Sequence, residues 1–348
     1  MKFKNLFIGS LAILFFLSAC RFNRPNANNE SVTEAPVLPN ATVVNPDQTF
    51  TIQIDILQFT TGRNDYIINV DDTPREFIVY VPSGYDPNTP TPVVVMCHGS
   101  NQSGNIMYEN TNWVAKAEEE NIIVVFPTSW KYPLVGEGGT HEKWNTPGTA
   151  SEVVEGTELK DDVKFIRSII ESLKVTFNID EKRIFASGFS NGGGFVLIRL
   201  IPNMNDVFAA YATGGSGLIG DGTLEDIPIQ VSVPLYSVMG TNDNKISEGQ
   251  GIPTPFPFTA EELVNDPVFY GMLEKTTILL NLTTSYTVES DPKFTRLTYN
   301  ESTSGANNEY IFMMIKGMGH VYPSGDNNRA EIDAANLFWE FFLQHPKP

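Results

Sequence analysis

The pentapeptide Gly188-Phe189-Ser190-Asn191-Gly192 constrains this chain more than any other feature. An apolar run, Arg183-Ile184-Phe185-Ala186, leads into it, and a second, Phe195 to Ile201, leads out. That context reads as a strand, a sharp turn and a helix. A serine in the middle of G-x-S-x-G at such a turn is held on strained backbone, its hydroxyl pushed clear of the sheet edge. The flanking glycines belong where strand and helix backbones approach too closely for side chains. No second G-x-S-x-G occurs in the 348 residues, where background frequencies predict roughly 0.1 by chance. The spacing alone is a modest constraint. The strand before it and the helix after it make it a strong one.

The rest of the pattern agrees with that turn. Apolar runs at Phe77–Tyr80, Val93–Met96, Ile122–Phe126, Arg183–Ala186, Ala209–Thr213, Leu235–Met239 and Tyr310–Ile315 read as strands. Several are apolar at consecutive positions, as strands covered on both faces of a parallel sheet must be. Val163, Ile166, Ile169, Ile170, Leu173 and Phe177 recur at helical spacing, with Asp161 and Asp162 placed to cap the amino end. Ile332, Ala335, Trp339 and Phe342 mark a last amphipathic helix. Alternating strands and helices predict an α/β fold with a mostly parallel central sheet and helices on both faces. Thr51–Ile56 and Tyr66–Val70 alternate more and are expected to form an antiparallel edge.

The amino end reads as an address. Lys2 and Lys4 precede an apolar stretch from Leu6 to Leu17, too short to span a bilayer and typical of a secretory signal. The following Leu17-Ser18-Ala19-Cys20 resembles a bacterial lipobox, so residues 1–19 are expected to be removed and Cys20 lipidated. Residues 20–48, rich in Asn and Pro, are expected to form a flexible tether, and 49–348 one catalytic domain. The expectation is an exported bacterial lipoprotein at the outer membrane or cell surface. The 41 acidic against 23 basic residues argue against nucleic acid and anionic polymers as partners. With Cys20 lipidated, Cys97 has no intramolecular disulfide partner and reads as a small buried hydrophobe.

A serine hydroxyl needs a positioned base to act as a nucleophile at neutral pH, and the chain has four histidines. His345 lies past the final helix, where fraying is expected. His141 falls in a polar Gly-rich loop, and His98 precedes Gly99 at a strand end. His320, in Gly317-Met318-Gly319-His320, follows the last strand, where a loop can reach Ser190. Asp243, just past the run Leu235–Met239, completes the chain order Ser, Asp, His that this architecture uses. It would hold the imidazole tautomer. Asp221, Asp226 and Asp266 follow no apolar strand and are weaker candidates. Two backbone donors for a developing oxyanion are assigned to the N–H groups of Asn191 and Ser100, with Asn101 as the alternative to Ser100. The histidines lack the paired spacing of metal ligands, and no metal or organic cofactor is required by this chemistry.

The motifs Arg75-Glu76-Phe77-Ile78-Val79-Tyr80-Val81-Pro82, His98-Gly99, Asp161-Asp162-Val163, Gly188 to Gly193, Gly240-Thr241-Asn242-Asp243 and Gly319-His320-Val321-Tyr322-Pro323 carry a family resemblance. Together they resemble the extracellular polyhydroxybutyrate depolymerase and feruloyl or acetylxylan esterase group of the α/β-hydrolase superfamily. The resemblance extends over roughly residues 65–345. It implies an α/β-hydrolase fold, a Ser190–His320–Asp243 triad and an ester on plant polysaccharide as substrate, with an aliphatic polyester as the alternative. It also implies a substrate-binding role for Trp144, beside Asn145, with a core aromatic as the equal alternative, and a substrate-binding role for His98. A serine peptidase of this fold would bring a gating domain, and a non-catalytic glycan-binding lipoprotein would show a broken triad. Neither signature is present in the sequence.

Overall fold

The computed structural model describes residues 41–45, 48–52, 54–219 and 230–348. Among these, ten strands build one sheet: β1 Gly62–Val70, β2 Thr73–Val81, β3 Thr91–Cys97, β4 Ile123–Pro127, β5 Ile179–Phe189, β6 Ala210–Gly214, β7 Leu235–Gly240, β8 Thr287–Ser290, β9 Phe294–Tyr299 and β10 Tyr310–Ile315. Their order across the sheet is β8-β9-β10-β7-β6-β5-β3-β4-β2-β1. Strands β10, β7, β6, β5, β3 and β4 run parallel. An antiparallel pair closes each edge. The helices that matter here are α1 Gly104–Asn110, α2 Trp113–Glu120, α3 Asp162–Thr176, α4 Asn191–Phe195, α5 Asn244–Gln250, α6 Ala260–Asn265, α7 Pro267–Leu279 and α8 Ala334–Leu343.

Why the central strands read as unbroken apolar runs is now visible. Successive residues serve opposite faces. Val93, Val95, Ile184 and Ala186 pack with Phe165, Ile166, Ile169, Ile170 and Leu173 of α3. Their neighbours Val94, Met96 and Phe185 pack with Trp113 of α2 and with Phe338, Trp339 and Phe342 of α8 on the other side. Each fully buried large aliphatic or aromatic side chain contributes about 1.5–3 kcal/mol. The helical stripe predicted from Val163 to Phe177 is the inner face of α3, capped by Asp161, whose carboxylate accepts from Lys164 N at 2.8 Å. Asp162 does different work, described below.

Three expectations change. The tether predicted to reach residue 48 is shorter, because Ala41–Asn45 and Gln48–Ile52 pair antiparallel. The predicted edge strand Thr51–Ile56 does not join the large sheet. Beyond that pairing, the N–H groups of Asp55 and Leu57 bond instead to the hydroxyls of Ser172 and Thr176 in α3. The edge is formed by β1, which contains the predicted Tyr66–Val70 and pairs antiparallel with β2. His345 is not frayed: Nδ1 meets the Phe341 carbonyl at 2.8 Å and Nε2 lies 2.9 Å from Glu309. Residues 1–19, Cys20 and most of the predicted tether, as well as Asp221 and Asp226, lie outside the described residues. Among the described residues, no helix is long and apolar enough to cross a membrane.

Candidate active site

Every candidate catalytic residue follows the carboxyl end of a central strand: Ser190 after β5, Asp243 after β7, His320 after β10 and Ser100 after β3. Ser190 has φ 54° and ψ −121°, a conformation that costs a non-glycine residue about 1–3 kcal/mol. The surroundings hold it there. Ser190 N donates to Gly214 O at 2.8 Å, and Gly194 N donates to Ser190 O at 2.9 Å. A Cβ on Gly188 would collide with the Gly192 carbonyl, and one on Gly192 with the carbonyls of Cys97 and His98. Strand end and helix start are therefore in backbone contact, as the sequence implies. After α4 the chain takes a π turn over Val196–Leu200 before Ile201–Met204. Pro202 lies just beyond that turn and has no N–H to continue a regular ladder.

Three distant side chains meet at this turn. His320 Nε2 lies 2.8 Å from Ser190 Oγ, and His320 Nδ1 lies 2.8 Å from both carboxylate oxygens of Asp243. A carboxylate can only accept, so Nδ1 carries the proton and Nε2 presents its lone pair to the serine hydroxyl. The Asp243 side chain is 1% exposed and that of His320 15%. Asp243 is also the N-cap of α5, accepting from Ile246 N at 3.0 Å. The two loops carrying this pair are stitched together: Asn242 N donates to Met318 O, and Gly317 N to Thr241 Oγ1. The Pro-rich segment braces the same place, since Phe256 is buried and its N–H donates to Thr241 O at 2.7 Å. The capping box read at Thr259-Ala260-Glu261-Glu262 opens α6. Asp266, a weaker candidate for the triad, caps α7 through Val268 N and Phe269 N.

The assigned oxyanion donors are accounted for by a neighbouring segment, His141–Trp144. Asn101 N donates to Glu142 O at 3.0 Å, so the alternative donor is already engaged. Among the described residues, the N–H groups of Ser100 and Asn191 bond to no acceptor. Asn191 opens a helix, where the first N–H groups have no partner within the helix and attract negative charge. The Asn191 side chain accepts from Trp144 N at 2.8 Å, and His141 Nδ1 lies 2.8 Å from Asn101 Oδ1. The sequence reading missed this clamp. Its only trace was the family-like position of Trp144-Asn145.

His98 and Trp144 correct the reading of them as substrate-binding groups. Both are fully buried. His98 Nδ1 lies 2.7 Å from Gly99 O, and Nε2 accepts from Ser129 N at 2.9 Å, so both ring nitrogens are occupied. Burial pushes the His98 imidazole down to about 4, against the smaller opposing pull of the Gly99 carbonyl. Trp144 donates from Nε1 to His98 O at 2.8 Å and stacks on Phe195 at 4.8 Å and 13°. These two side chains position the loop that presents Ser100. Cys97, next in line, is buried as expected, and burial raises its thiol.

A second layer supports the clamp. Arg75 and Asp162 form a buried ion pair at 2.5 Å, with the guanidinium over the Phe165 ring at 4.1 Å. The other Asp162 oxygen accepts from Asn145 N at 2.6 Å. Burial raises the Asp162 carboxyl, with Arg75 pulling the other way.

A serine on a strained turn after a central parallel strand, with a histidine and an aspartate from two later strand ends brought against it, defines the class of this fold. The architecture is an α/β-hydrolase fold. Residues 81–252 match the family described as Phospholipase/Carboxylesterase. The chain is 31% identical over 176 residues to a bifunctional acetylxylan esterase/xylanase from Neocallimastix patriciarum, covering 51% of this chain and 22% of that protein. It is 29% identical over 182 residues to feruloyl esterase B from Piromyces equi, covering 51% and 31%. It thus spans less than a third of either relative. An acetyl xylan esterase structure from Aspergillus awamori superposes with a TM-score of 0.52 at 13% identity, over 81% of this chain and 98% of that one.

Proposed function

We propose that this protein is a serine carboxylic ester hydrolase that removes acetyl or feruloyl groups from plant polysaccharide through an acyl-enzyme. The observation that carries the reading is the unbroken relay Asp243–His320–Ser190, each contact at 2.8 Å. In this reading His320 Nε2 takes the hydroxyl proton as Ser190 Oγ attacks the ester carbonyl. The C–O bond to the alcohol breaks, and the alcohol leaves with the proton from His320. Water, deprotonated by the same nitrogen, then attacks the acyl carbon and restores the serine. The N–H groups of Asn191 and Ser100 receive the negative charge in both tetrahedral states. Each such donor contributes on the order of a hundred- to a thousandfold in turnover. Asp243 stays ionised, holding the ring and balancing the imidazolium.

The substrate class rests on the resemblance and on what the two relatives are named for. The exported state, with a lipid on Cys20, rests on the lipobox pattern alone. Acyl release from acetylated xylan, feruloylated arabinoxylan and polyhydroxybutyrate film, compared on the purified mature domain, tests the reading. Release from a polysaccharide ester that Ser190→Ala abolishes, at unchanged far-UV circular dichroism, is the expected result. Release from the polyester alone would move the assignment to a depolymerase, and full activity in Ser190→Ala would discard the triad.

A further inference from the structure

The loops that carry Asp243 and His320 help to form a cleft of about 540 Å³. Thr241, Asn242 and Gly317 contribute to it, and three cations, Lys293, Lys316 and Arg329, line it with no carboxylate among the lining residues. That composition runs against the whole chain, in which acidic residues outnumber basic ones 41 to 23. A cleft lined by one sign of charge concentrates its field on a ligand of the other sign.

Structural pairing explains the cations only in part: Lys316 lies in the field of the Glu262 carboxylate, which is itself engaged by the N–H groups of Phe258 and Thr259. Lys316 N donates to Lys293 O where β9 and β10 extend past their last paired residues, so the two lysines are cross-strand neighbours. Like charges in that relation destabilise a sheet. The Lys293 ammonium pairs with Glu331 at 3.7 Å, both well exposed, and the Asp291 carboxylate accepts from Lys293 N at 2.6 Å. Arg329 has no carboxylate partner among the described residues. The Lys316 ammonium lies 4.8 Å from the centre of the Phe258 ring. The cleft is continuous with a second groove of about 650 Å³ through the shared residues Thr241, Pro255 and Lys316. That groove is faced by prolines and by Phe256, Phe258 and Phe269. Its acids are Glu262 and Asp266, whose carboxylates are turned to the starts of α6 and α7.

We propose that this cleft is a subsite for a carboxylate-bearing sugar, a uronic acid branch on the polysaccharide whose ester is presented to Ser190. The inference rests on the ester hydrolase reading and names the substrate more closely. Apolar sugar faces suit the proline and aromatic groove, and a single carboxylate suits the lysine and arginine donors. The chain's formal charge of −18 selects against densely charged polymers. A sparsely substituted uronoxylan therefore fits, and a polygalacturonate does not.

The test compares acetylated glucuronoxylan with the same polymer after its carboxyl groups have been reduced to alcohols. Wild type should show about fivefold higher kcat/KM on the native polymer, as expected for a few partly exposed ion pairs. The double variant Lys316→Gln, Arg329→Gln should treat both polymers alike, with p-nitrophenyl acetate hydrolysis unchanged. Retardation of the protein in native gels containing each polymer reads binding without catalysis. Retardation by glucuronoxylan, weaker for the reduced polymer and for the double variant, supports the subsite even if no ester is cleaved. Equal rates and equal retardation on both polymers would overturn it. So would tighter binding to polygalacturonate than to glucuronoxylan.

Discussion

Replacing Trp144 by phenylalanine separates the positioning of the oxyanion loop from the triad itself. The change removes the indole N–H that meets the His98 carbonyl at 2.8 Å and keeps an aromatic ring against Phe195. Losing that donor at a buried carbonyl costs about 1–3 kcal/mol. The missing part of the indole leaves a small cavity, which raises the total towards about 2–4 kcal/mol. Ser100 follows His98 by two residues, so part of this loss is expected at the N–H it presents. Removing an oxyanion donor outright lowers turnover on the order of a hundred- to a thousandfold. Displacing one is expected to lower kcat about tenfold, roughly 1.4 kcal/mol, with KM nearly unchanged. Steady-state hydrolysis of p-nitrophenyl acetate, paired with urea unfolding, reads both quantities. A variant that loses stability as expected but keeps the full kcat would refute the idea that Trp144 positions the donor.

Other outcomes follow from the same geometry. Asp243→Asn should lower kcat on the order of 10⁴-fold, because an amide facing Nδ1 favours the tautomer with its proton on Nε2; a loss under tenfold would argue against Asp243 as the orienting group. Burial holds the His98 imidazole near 4 in the fold, below its ordinary 6.5, so the unfolded chain takes up a proton first as pH falls. Stability from this group is complete above about pH 6.5 and drains towards pH 4, by about 3 kcal/mol. Urea midpoints at pH 7 and 4.5 should differ more in wild type than in His98→Gln, and equal differences would contradict the buried neutral state. Arg75→Met should destabilise by about 3–5 kcal/mol, because it strands the buried Asp162 carboxylate, while Arg75→Met, Asp162→Leu together should recover much of that loss in thermal unfolding.

What the sequence discloses, and what it conceals, divides along physical lines. The parallel strands were legible because burial on both faces forces apolar residues at every position, as in Val93-Val94-Val95-Met96. The turn at Ser190 was legible because strand and helix backbones touch there and only glycine fits. Four histidines made elimination effective, and the chosen one meets both Ser190 and Asp243. Strands β8 and β9 escaped because β8 is exposed along its length and β9 alternates, Phe294 to Tyr299, with Arg296 among its half-buried residues. The hairpin of Trp130–Tyr132 and His141–Lys143 is too short to carry a period. Trp144 and His98 were misread for a related reason. Nothing in a local pattern tells an aromatic ring that faces a substrate from one that holds a backbone carbonyl, since the difference lies in which distant atom each nitrogen meets.

Labelling with a fluorophosphonate addresses the convergence of Ser190, His320 and Asp243 most directly. Intact-mass measurement of the purified domain should show one adduct per chain, mapped by peptide digestion to Ser190. The adduct should be missing in Ser190→Ala and formed far more slowly in His320→Ala. Labelling elsewhere in the chain, or undiminished labelling without the imidazole, would contradict a hydroxyl activated by that relay.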